Sequence, residues 1–250
     1  MADLDIVIPV YNEGAGILPV LDSLRCVQTS MRVFVCYDDD DDSTLKALQE
    51  NPAAGIPVNL LKNSGRGAHD AVVTGFGAAT APAVIVFPGD DIHNAAILDR
   101  MYAKFLQGCE IVTASRLMPG GRMEGCPLLK AVLLRSAAFT LHRLAKVPSH
   151  DATNGFRLFS RRTLEQIEIE SRRGFTYSLE LLVKAHRLGW KVGEVPAQWH
   201  ERTQGRSRFR VLRWLPAYLR WYCYAFATTY LRRPANSVRL RRAAPLASNL

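Results

Sequence analysis

The stretch from Val84 to Asn94 reads VIVFPGDDIHN and decides the interpretation of the fold. Its first four residues are apolar without polar alternation, as is typical of a parallel strand covered on both faces. Pro88 and Gly89 then end the strand. Asp90 and Asp91 follow directly, where ligands of open α/β sheets bind. Two carboxylates there predict a site for a hard divalent cation; the alternative is an acidic turn in which Asp91 caps the next helix.

Alternating strand and helix patterns surround that stretch. Short apolar runs are separated by segments with helical spacing of apolar residues and by short loops. This alternation predicts an α/β fold with a mostly parallel, Rossmann-like sheet flanked by helices. The predicted strands are 5–10, 32–37, 58–61, 84–87, 110–114, 156–159 and 191–195, and the predicted helices are 16–26, 68–79, 95–106, 128–146 and 177–188.

Five consecutive carboxylates, Asp38 to Asp42, follow the predicted strand 32–37. Adjacent acids repel one another unless cations or hydrogen-bond donors meet them. Such a run is usually a solvated loop, but its place at the carboxyl end of a strand makes ligand binding an equal alternative. The loop from Lys62 to Gly67 (KNSGRG) precedes a predicted helix, and its glycines and cations favour a close approach of phosphate. Its spacing matches neither the Walker nor the dinucleotide fingerprint.

The net charge of +9 is concentrated towards the C-terminus. Residues 203–242 contain ten arginines, no lysine and no acid, so the rest of the chain is close to neutral. A basic segment of this kind suits anionic lipid, polyphosphate or nucleic acid. Seven aromatic residues lie between Trp214 and Leu231, and aromatic residues mixed with arginine suit a membrane surface. Membrane contact is one interpretation of this segment, and no nucleic-acid partner is expected. The alternatives for this amphipathic segment are a core helix and a surface for homo-oligomer formation.

Three further segments divide the chain. Residues 119–126 (PGGRMEGC) are glycine-rich and are predicted to be mobile. Pro216 is predicted to start a new helix, and residues 234–250 are predicted to be a disordered tail. The predicted division is one domain over 1–210, a C-terminal helical segment over 211–233, and the tail. His142, in the apolar helix 128–146, is predicted to have a structural role.

Cysteine usage and hydropathy bear on the location of the protein. The five cysteines are odd in number and lack the spacing of metal ligands, which predicts reduced thiols in a cytosolic protein. The first residues, MADLDIVIPV, lack a basic region, so no signal peptide is predicted. No apolar run reaches ~18 residues, so no spanning helix is predicted. We therefore expect a cytoplasmic protein with peripheral contact to the cytoplasmic face of the membrane.

Seven short motifs, in matching order, resemble those of glycosyltransferase family 2, the inverting enzymes with a GT-A fold. The resemblance is in particular to the polyprenyl-phosphate branch, similar to dolichyl-phosphate mannose synthase, and it covers about residues 5–210. The motifs are PVYNE (9–13), YDDDDDST (37–44), GRGAHDAVVTGF (65–76), ASR (114–116), D-x-x-x-GFR (151–157), GEVP (193–196) and R-x-x-G-x-S-R (202–208).

This resemblance implies a nucleotide-diphosphate sugar, a GDP- or UDP-sugar, as donor and a polyprenyl phosphate as acceptor. It assigns Asp90 and Asp91 to Mg²⁺ or Mn²⁺, which would hold the diphosphate. The catalytic residues that it implies are Asp151, Asp91 and Arg116. The residues that it assigns to the nucleotide sugar are Pro9, Tyr11, Glu13, Asp38, Asp39, Arg66, Asp90, Arg202 and Arg208.

The acceptor decides the role of Asp151. A hydroxyl acceptor must lose its proton to a base, for which Asp151 is the candidate. A lipid phosphate is already anionic, and Asp151 would then orient other groups. A turn cap ahead of Asn154 and Gly155 is the structural alternative for Asp151. In either reaction the leaving diphosphate gains charge, which a divalent cation and arginines stabilise.

Two positions depart from the family pattern. With His93 aligned to the family's histidine, Pro88 takes the place of the first of two aspartates. With the alignment shifted by two residues, Asp90 is the first aspartate and Ile92 takes the place of the second. Tyr37 also stands where an aspartate is usual. One metal-binding carboxylate is therefore missing, which leaves a non-catalytic nucleotide-sugar binding protein as a rival. The other rivals are a glycosyltransferase with a soluble or saccharide hydroxyl acceptor and a nucleotidyltransferase, although the GFR and 202–208 motifs speak against the latter.

Overall fold

A central sheet organises the chain. The computed structural model describes residues 2–51, 56–200 and 211–241, with side chains from residue 215 onward in the last range. Within these ranges, seven strands form one sheet in the order β3-β2-β1-β4-β7-β5-β8, and β6 and β9 form a parallel ribbon. The strands are β1 (Leu4–Pro9), β2 (Met31–Tyr37), β3 (Val58–Lys62), β4 (Ala83–Val86), β5 (Ile111–Ser115), β6 (Arg122–Glu124), β7 (Arg157–Ser160), β8 (Val192–Pro196) and β9 (Gln198–His200).

Helices follow most of the strands and cover both faces of the sheet. Three of them continue from or into short 3₁₀ or π turns, at Gly14–Gly16, Leu24–Cys26, Ala95–Ile97 and Thr140–Leu144. The helices are α1 (Ile17–Ser23), α2 (Ser43–Glu50), α3 (Gly67–Ala78), α4 (Leu98–Leu106), α5 (Leu128–Phe139), α6 (Arg161–Gln166), α7 (Thr176–Arg187) and α8 (Val211–Tyr230).

The sheet separates two apolar cores because side chains alternate along each strand. In β1, Ile6 and Ile8 point to the core that α1 and α4 cover, whereas Val7 points to the core that α3, α7 and α8 cover. Strands buried on both faces need apolar residues at every position, as the sequence 83–86 shows. The predicted α/β class with a mostly parallel sheet is therefore confirmed.

Strand β7 is the antiparallel member of the sheet. It lies between β4 and β5, and its residues pair in register with both, as Leu158 does with Ile85 and Val112. The remaining pairs in the sheet are parallel. The parallel strands β1, β2, β3 and β4 therefore end at one common edge, and this edge carries the acidic segments.

The segment 119–126 is more regular than its glycine content predicts. It contains β6, which pairs with β9 from Arg122 opposite Gln198 to Glu124 opposite His200. Gly121 packs on the preceding chain so closely that an added Cβ would lie 2.5 Å from the carbonyl oxygen of Ser115. The prediction of a mobile loop is wrong here, because Gly121 allows the chain to pack closely on the backbone of Ser115 and Arg116.

The C-terminal segment also differs from expectation. α8 runs through Pro216 without ending, so the prediction that Pro216 starts a new helix is wrong. Buried Trp221 and Ala225 pack α8 on the core shared with α7. This packing compensates for the backbone hydrogen bond that Pro216 cannot donate within the helix.

Residues 234–241, predicted as part of a disordered tail, contain a 3₁₀ turn at Ala235–Ser237 and a bridge between Ile167 and Leu240. The amide of Arg241 donates to the carbonyl of Gln166 at 2.8 Å. The prediction of disorder is wrong for these residues; residues 242–250 lie outside the described ranges.

Two glycines of α3 offer a matched test of its packing on the sheet. A Cβ on Gly75 would lie 2.4 Å from Val7 Cγ1 and 3.1 Å from Cys36 Sγ, whereas a Cβ on exposed Gly77 would meet nothing within 4 Å. We expect Gly75→Ala to destabilise the protein by about 1–3 kcal/mol through overpacking. Gly77→Ala should stabilise it by up to ~1 kcal/mol through helix propensity. Urea unfolding of both variants measures this, and equal effects would contradict the packing.

Candidate active site

The carboxyl ends of β1, β2, β3 and β4 bring the acidic segments together. Backbone bonds extend the sheet to this edge, where the amide of Asn63 donates to Tyr37 O at 2.7 Å and that of Val10 to Cys36 O at 2.9 Å. A Cβ on Gly89 would lie 3.3 Å from the carbonyl oxygen of Pro9. Pro9 at the end of β1 is therefore flanked by the chain that leads to Asp90. Asp38 and Asp90 lie at the same edge, on either side of the end of β1.

Asp38 is held by the loop 62–67, which was predicted to allow a close approach of phosphate. Its Oδ1 accepts from Asn63 Nδ2 at 2.7 Å, and its Oδ2 accepts from the amide of Gly67 at 2.8 Å. Gly67 has φ of +83°, a conformation that favours glycine and aims its amide at the carboxylate. Asp38 therefore joins the end of β2 to the start of α3.

The other acids of the run divide into different roles. Buried Asp42 is the N-cap of α2, where it accepts from the amide of Thr44 at 2.8 Å and from the amide of Asn12 at 3.0 Å. Asp39 lies 3.5 Å from Arg66, and Asp40 pairs with Lys62. Cations and amides thus compensate the repulsion within the run, so it is not merely a solvated loop.

The segment 9–13 lies beside this run. The amide of Glu13 donates to Thr44 Oγ1 at 3.0 Å, and Asn12 Oδ1 accepts from the amide of Ser43 at 3.1 Å. Tyr11 is 46% exposed at the tip of the turn. The predicted nucleotide-sugar residues Pro9, Tyr11, Glu13, Asp38, Asp39, Arg66 and Asp90 therefore share one edge of the sheet.

Asp90 and Asp91 have different surroundings. Asp90 is exposed at the edge. Asp91 is half-buried, and its oxygens accept from the amides of His93 and Asn94 at 2.9 and 3.0 Å and from Asn94 Nδ2 at 2.7 Å. Burial raises the pKa of Asp91, and the hydrogen bonds from Asn94 and His93 offset this only in part. Asp91 therefore belongs to the acidic turn, but the prediction that it caps the next helix is wrong, since the cap position of the turn Ala95–Ile97 is Asn94. Asp90 is left as the carboxylate that faces solvent.

Asn94 connects this turn to β9. Its Nδ2 also donates to the carbonyl of Gln198 at 2.6 Å, and its Oδ1 accepts from the amide of Gln198 at 2.8 Å. The rings of His93 and His200 lie against each other with centroids 4.3 Å apart. The acidic turn is therefore anchored to the strand that precedes the predicted phosphate-binding arginines. Arg202 and Arg208 themselves lie outside the described residues.

Asp151 and Arg116 form a buried, bidentate ion pair. Asp151 is fully buried and accepts from Arg116 Nε at 2.7 Å, from Arg116 Nη2 at 2.9 Å, and from the amide of Arg116 at 3.1 Å. Burial alone would raise the pKa of Asp151, but the charge and hydrogen bonds of Arg116 lower it below its usual value. Asp151 is therefore an ionised carboxylate that fixes the orientation of the Arg116 side chain.

Two further side chains fix the segment around Asp151. Glu194 accepts from Ser149 Oγ at 2.8 Å and from the amide and Nδ1 of His150, both at 2.7 Å. Buried Arg157 donates to the carbonyl of Ala152 at 2.6 Å and to that of Asp151 at 3.2 Å. Burial lowers the pKa of Arg157 to about 10. The GEVP and GFR motifs therefore support the position of the ion pair.

Sequence reasoning did not select several of these residues. Asn63 and Asn94 each bind an acidic side chain of the edge, and Glu194 binds the segment before Asp151. Glu194 could have been found, because it belongs to a motif that was recognised. His142 has the structural role that was predicted, since its Nδ1 lies 3.1 Å from Val147 O and its ring stacks on His150.

The arrangement and the sequence agree on the class of protein. Residues 5–168 match the sequence model of Glycosyl transferase family 2, and the chain belongs to that family. Its similarity to characterised members is moderate and covers most of the chain. It is 28% identical over 81% of its length to polyprenol monophosphomannose synthase of Mycolicibacterium smegmatis, covering 79% of that protein. It is 25% identical over 87% of its length to dolichol-phosphate mannosyltransferase of Pyrococcus furiosus, of which it covers 64%.

Solved structures with the same fold include glucosyl-3-phosphoglycerate synthase from Mycobacterium tuberculosis. Its complex with Mn²⁺, uridine diphosphate and glucosyl-3-phosphoglycerate superposes with a TM-score of 0.65 at 18% identity, over 91% of this chain and 79% of that one. Its complex with Mg²⁺ and uridine diphosphate gives a TM-score of 0.63. At this identity the likeness establishes the fold.

The role of the buried ion pair can be tested with Asp151→Asn. This change leaves the Arg116 guanidinium buried without its counter-ion, so we expect a loss of about 3–5 kcal/mol in the free energy of unfolding at neutral pH. The contribution of Asp151 is present above its unfolded-state pKa and is lost as pH falls through its lower folded-state pKa. The deficit of the variant should therefore shrink below about pH 4. Urea unfolding at several pH values measures this.

Two comparisons control this experiment. Asp22→Asn on α1, where the side chain is 72% exposed, should change stability by no more than about 0.5 kcal/mol. The double variant Asp151→Asn/Arg116→Met removes both charges and should recover much of the loss. A stable Asp151→Asn protein would mean that the pair does not hold this segment.

Proposed function

We propose that this protein transfers a sugar from a nucleotide-diphosphate sugar, a GDP- or UDP-sugar, to a polyprenyl phosphate at a membrane surface, with Mg²⁺ or Mn²⁺ at the donor site. Two relatives named above are a polyprenol monophosphomannose synthase and a dolichol-phosphate mannosyltransferase. The observation that carries the proposal is the buried pair between Asp151 and Arg116. In this pair Asp151 orients Arg116 and is not available as a general base. This suits a phosphate acceptor, which is already anionic and needs no base.

The donor would bind across the carboxyl edge of β1, β2 and β4. Tyr11 and Glu13 from one side and Asp38 from the other flank the place for the base and ribose. Arg66, whose side chain is 85% exposed, begins α3 and can reach a phosphate. Helix N-termini with a cation nearby are favourable places for phosphate, and a phosphate would compete with Asp39, 3.5 Å away, for Arg66. Arg202 and Arg208 remain the predicted partners of the diphosphate from the other side.

The carboxylates of the edge fit a cation that is shared with the substrate. Mg²⁺ binds through one or two carboxylates and completes its shell with waters and substrate phosphates. Within the described ranges no group of three or more His, Cys, Asp or Glu side chains forms a closed metal site. Asp90 is the residue that would hold the cation, and Asp91 would keep Asp90 in place through the turn to which it belongs. When bound, the cation would stabilise charge on the leaving diphosphate.

The proposed chemistry is a single displacement with inversion at the anomeric carbon. An oxygen of the acceptor phosphate forms the new bond to that carbon, and the bond to the diphosphate breaks, so that the nucleoside diphosphate leaves with both electrons. Arg116, oriented by Asp151, would hold the acceptor phosphate. Nε and Nη2 of Arg116 already donate to Asp151, so the hydrogen bond to the phosphate would come from Nη1 of the same charged guanidinium.

Exposed apolar residues beside this site suit a membrane surface. Residues 117–127 connect Arg116 to the start of α5. There Leu128 is 80% exposed and Leu129 is 74% exposed. α8 packs on the turn after α5 through the bond from Tyr222 Oη to Thr140 Oγ1 at 2.8 Å. Such exposed faces are typical of helices that lie in a bilayer interface. None of the helices in the described residues combines the length and apolarity needed to cross a membrane.

The donor site is tested by Asp90→Ala. In the wild-type protein we expect Mn²⁺ to strengthen donor binding, and in the variant we expect this gain to fall by about tenfold or more, because the carboxylate that holds the cation is gone. Titration calorimetry with GDP- and UDP-sugars, with and without Mn²⁺, measures it. Asp41→Ala, an exposed neighbour in the acidic run, is the matched control. An equal metal dependence in wild type and Asp90→Ala would remove Asp90 from the site.

A non-catalytic nucleotide-sugar binding protein is the second candidate. Pro88 replaces one family aspartate, and the oxygens of Asp91 are engaged in its own turn, which favours weak cation binding. Incubation of the protein with a panel of donors, Mn²⁺ and a short polyprenyl phosphate separates the two. Release of a nucleoside diphosphate together with a glycosylated lipid supports the transferase, and donor binding without turnover supports the alternative.

The membrane contact is tested by Leu128→Gln/Leu129→Gln. Each exposed leucine contributes about 1.5–3 kcal/mol when buried, so vesicle binding should fall about tenfold or more. Leu106→Gln, at an exposed leucine of α4 on the opposite face, should leave it unchanged. Transfer to a short, water-soluble polyprenyl phosphate should be similar in all three proteins. Vesicle flotation measures the binding, and an undiminished double variant would exclude α5 from the contact.

A further inference from the structure

A second basic site lies between α8 and the segment that precedes α7. A cavity of about 610 Å³ opens between the segment 168–173, the first turns of α8 and Arg239. Arginines line it from all three sides, and Trp221 forms part of its floor. This cavity belongs neither to the donor edge nor to the ion pair of Asp151.

Buried charges make the wall of the cavity rigid. Glu180 is fully buried and accepts from the amides of Glu170 and Ser171 at 2.7 and 2.8 Å. Lys184 is also fully buried and donates to Glu180 at 2.7 Å and to the carbonyl of Glu168 at 2.6 Å. The segment 168–171 therefore has a fixed backbone, so its side chains are presented without a large ordering cost.

Glu170 draws cations to the cavity. It pairs with Lys184 at 2.8 Å, with Arg220, and with Arg239 at 3.5 Å. The side chains of Arg220 and Arg239 remain 57% and 68% exposed, so part of each guanidinium still faces solvent.

Arg172 and Arg173 add two more exposed cations on the same wall. Within the part of the chain that the structure describes, neither makes an ion pair. The cavity therefore has more positive than negative charge, with planar groups that match phosphate oxygens.

The position of the cavity on α8 indicates where such a phosphate comes from. Leu215 and Leu219 are 52% and 53% exposed and lie one turn apart on α8; neither lines the cavity, and Arg220 follows Leu219 about 100° further round the helix. Along the helix this apolar stripe continues through Cys223, Phe226 and Tyr230. An apolar stripe flanked by arginines is the pattern of a helix in the headgroup region of a bilayer.

We propose that this cavity binds the phosphate diester of an anionic phospholipid, with the acyl chains along Leu215 and Leu219. The site is separate from the acceptor phosphate at Arg116 and does not depend on sugar transfer. It would set the orientation of the protein on the membrane, since it fixes one side of α8 at headgroup depth.

The test uses the full chain and Arg172→Ala/Arg173→Ala. Both residues are exposed, so folding is preserved. Flotation with vesicles of phosphatidylcholine, with or without phosphatidylglycerol, measures binding. We expect phosphatidylglycerol to strengthen the binding of the wild-type protein to vesicles. The affinity of the double variant for vesicles with phosphatidylglycerol should be about 10- to 30-fold lower, since each arginine near an anionic surface contributes to the attraction. Lys46→Ala/Arg100→Ala, which removes two exposed charges from the opposite face, should bind like wild type.

The source of the phosphate is distinguished by a second measurement. Inorganic phosphate should raise the melting temperature of the wild-type protein no more than that of the double variant. A phosphate-dependent rise in the wild type alone, with unchanged vesicle binding, would assign the site to free phosphate and overturn the lipid proposal. Equal vesicle binding by all three proteins would also overturn it. The vesicle and melting measurements contain no nucleotide sugar. Their outcome therefore does not depend on whether the protein transfers a sugar.

Discussion

Clustered negative charge at one edge of the sheet is the constraint on which the donor side depends. Adjacent carboxylates are stable there because most of them meet a hydrogen-bond donor or a cation. Asp38 is satisfied by Asn63 and the amide of Gly67, Asp42 by the amides of Thr44 and Asn12, and Asp91 by Asn94. What remains for a ligand is a small set of exposed groups held on a fixed frame. A diphosphate with its cation would enter a site whose internal repulsion is already compensated.

The acceptor side depends on a different balance, that of a buried ion pair. Desolvation of two charges is costly, and it is offset only when geometry and additional hydrogen bonds are favourable. Asp151 and Arg116 meet this condition through three bonds, and Arg157 and Glu194 fix the chain on either side. Such a pair contributes orientation more than stability. A guanidinium that cannot rotate is a better partner for a phosphate than a flexible one, because less entropy is lost on binding.

Much of the fold follows from sequence, because strand and helix periodicities and turn residues are local. The acidic edge was predictable for the same reason, since carboxyl ends of parallel strands meet. The antiparallel insertion of β7 between β4 and β5 was not, because pairing partners are set by tertiary packing. Pro216 was misjudged because Trp221 and Ala225 anchor α8 beyond it. The role of Asp91 required the position of Asn94, whose side chain reaches a strand 104 residues away.

That long contact also connects the two sides of the proposed site. Asn94 holds Gln198 at the start of β9, and β9 pairs with β6 from Arg122 to Glu124. The chain after β6 leads directly into α5, the helix with exposed leucines beside Arg116. One two-stranded ribbon therefore links the start of α5 to the turn that carries Asp90. Because Asn94 binds both the carboxylate of Asp91 and the backbone of Gln198, one side chain fixes the acidic turn and the ribbon relative to each other.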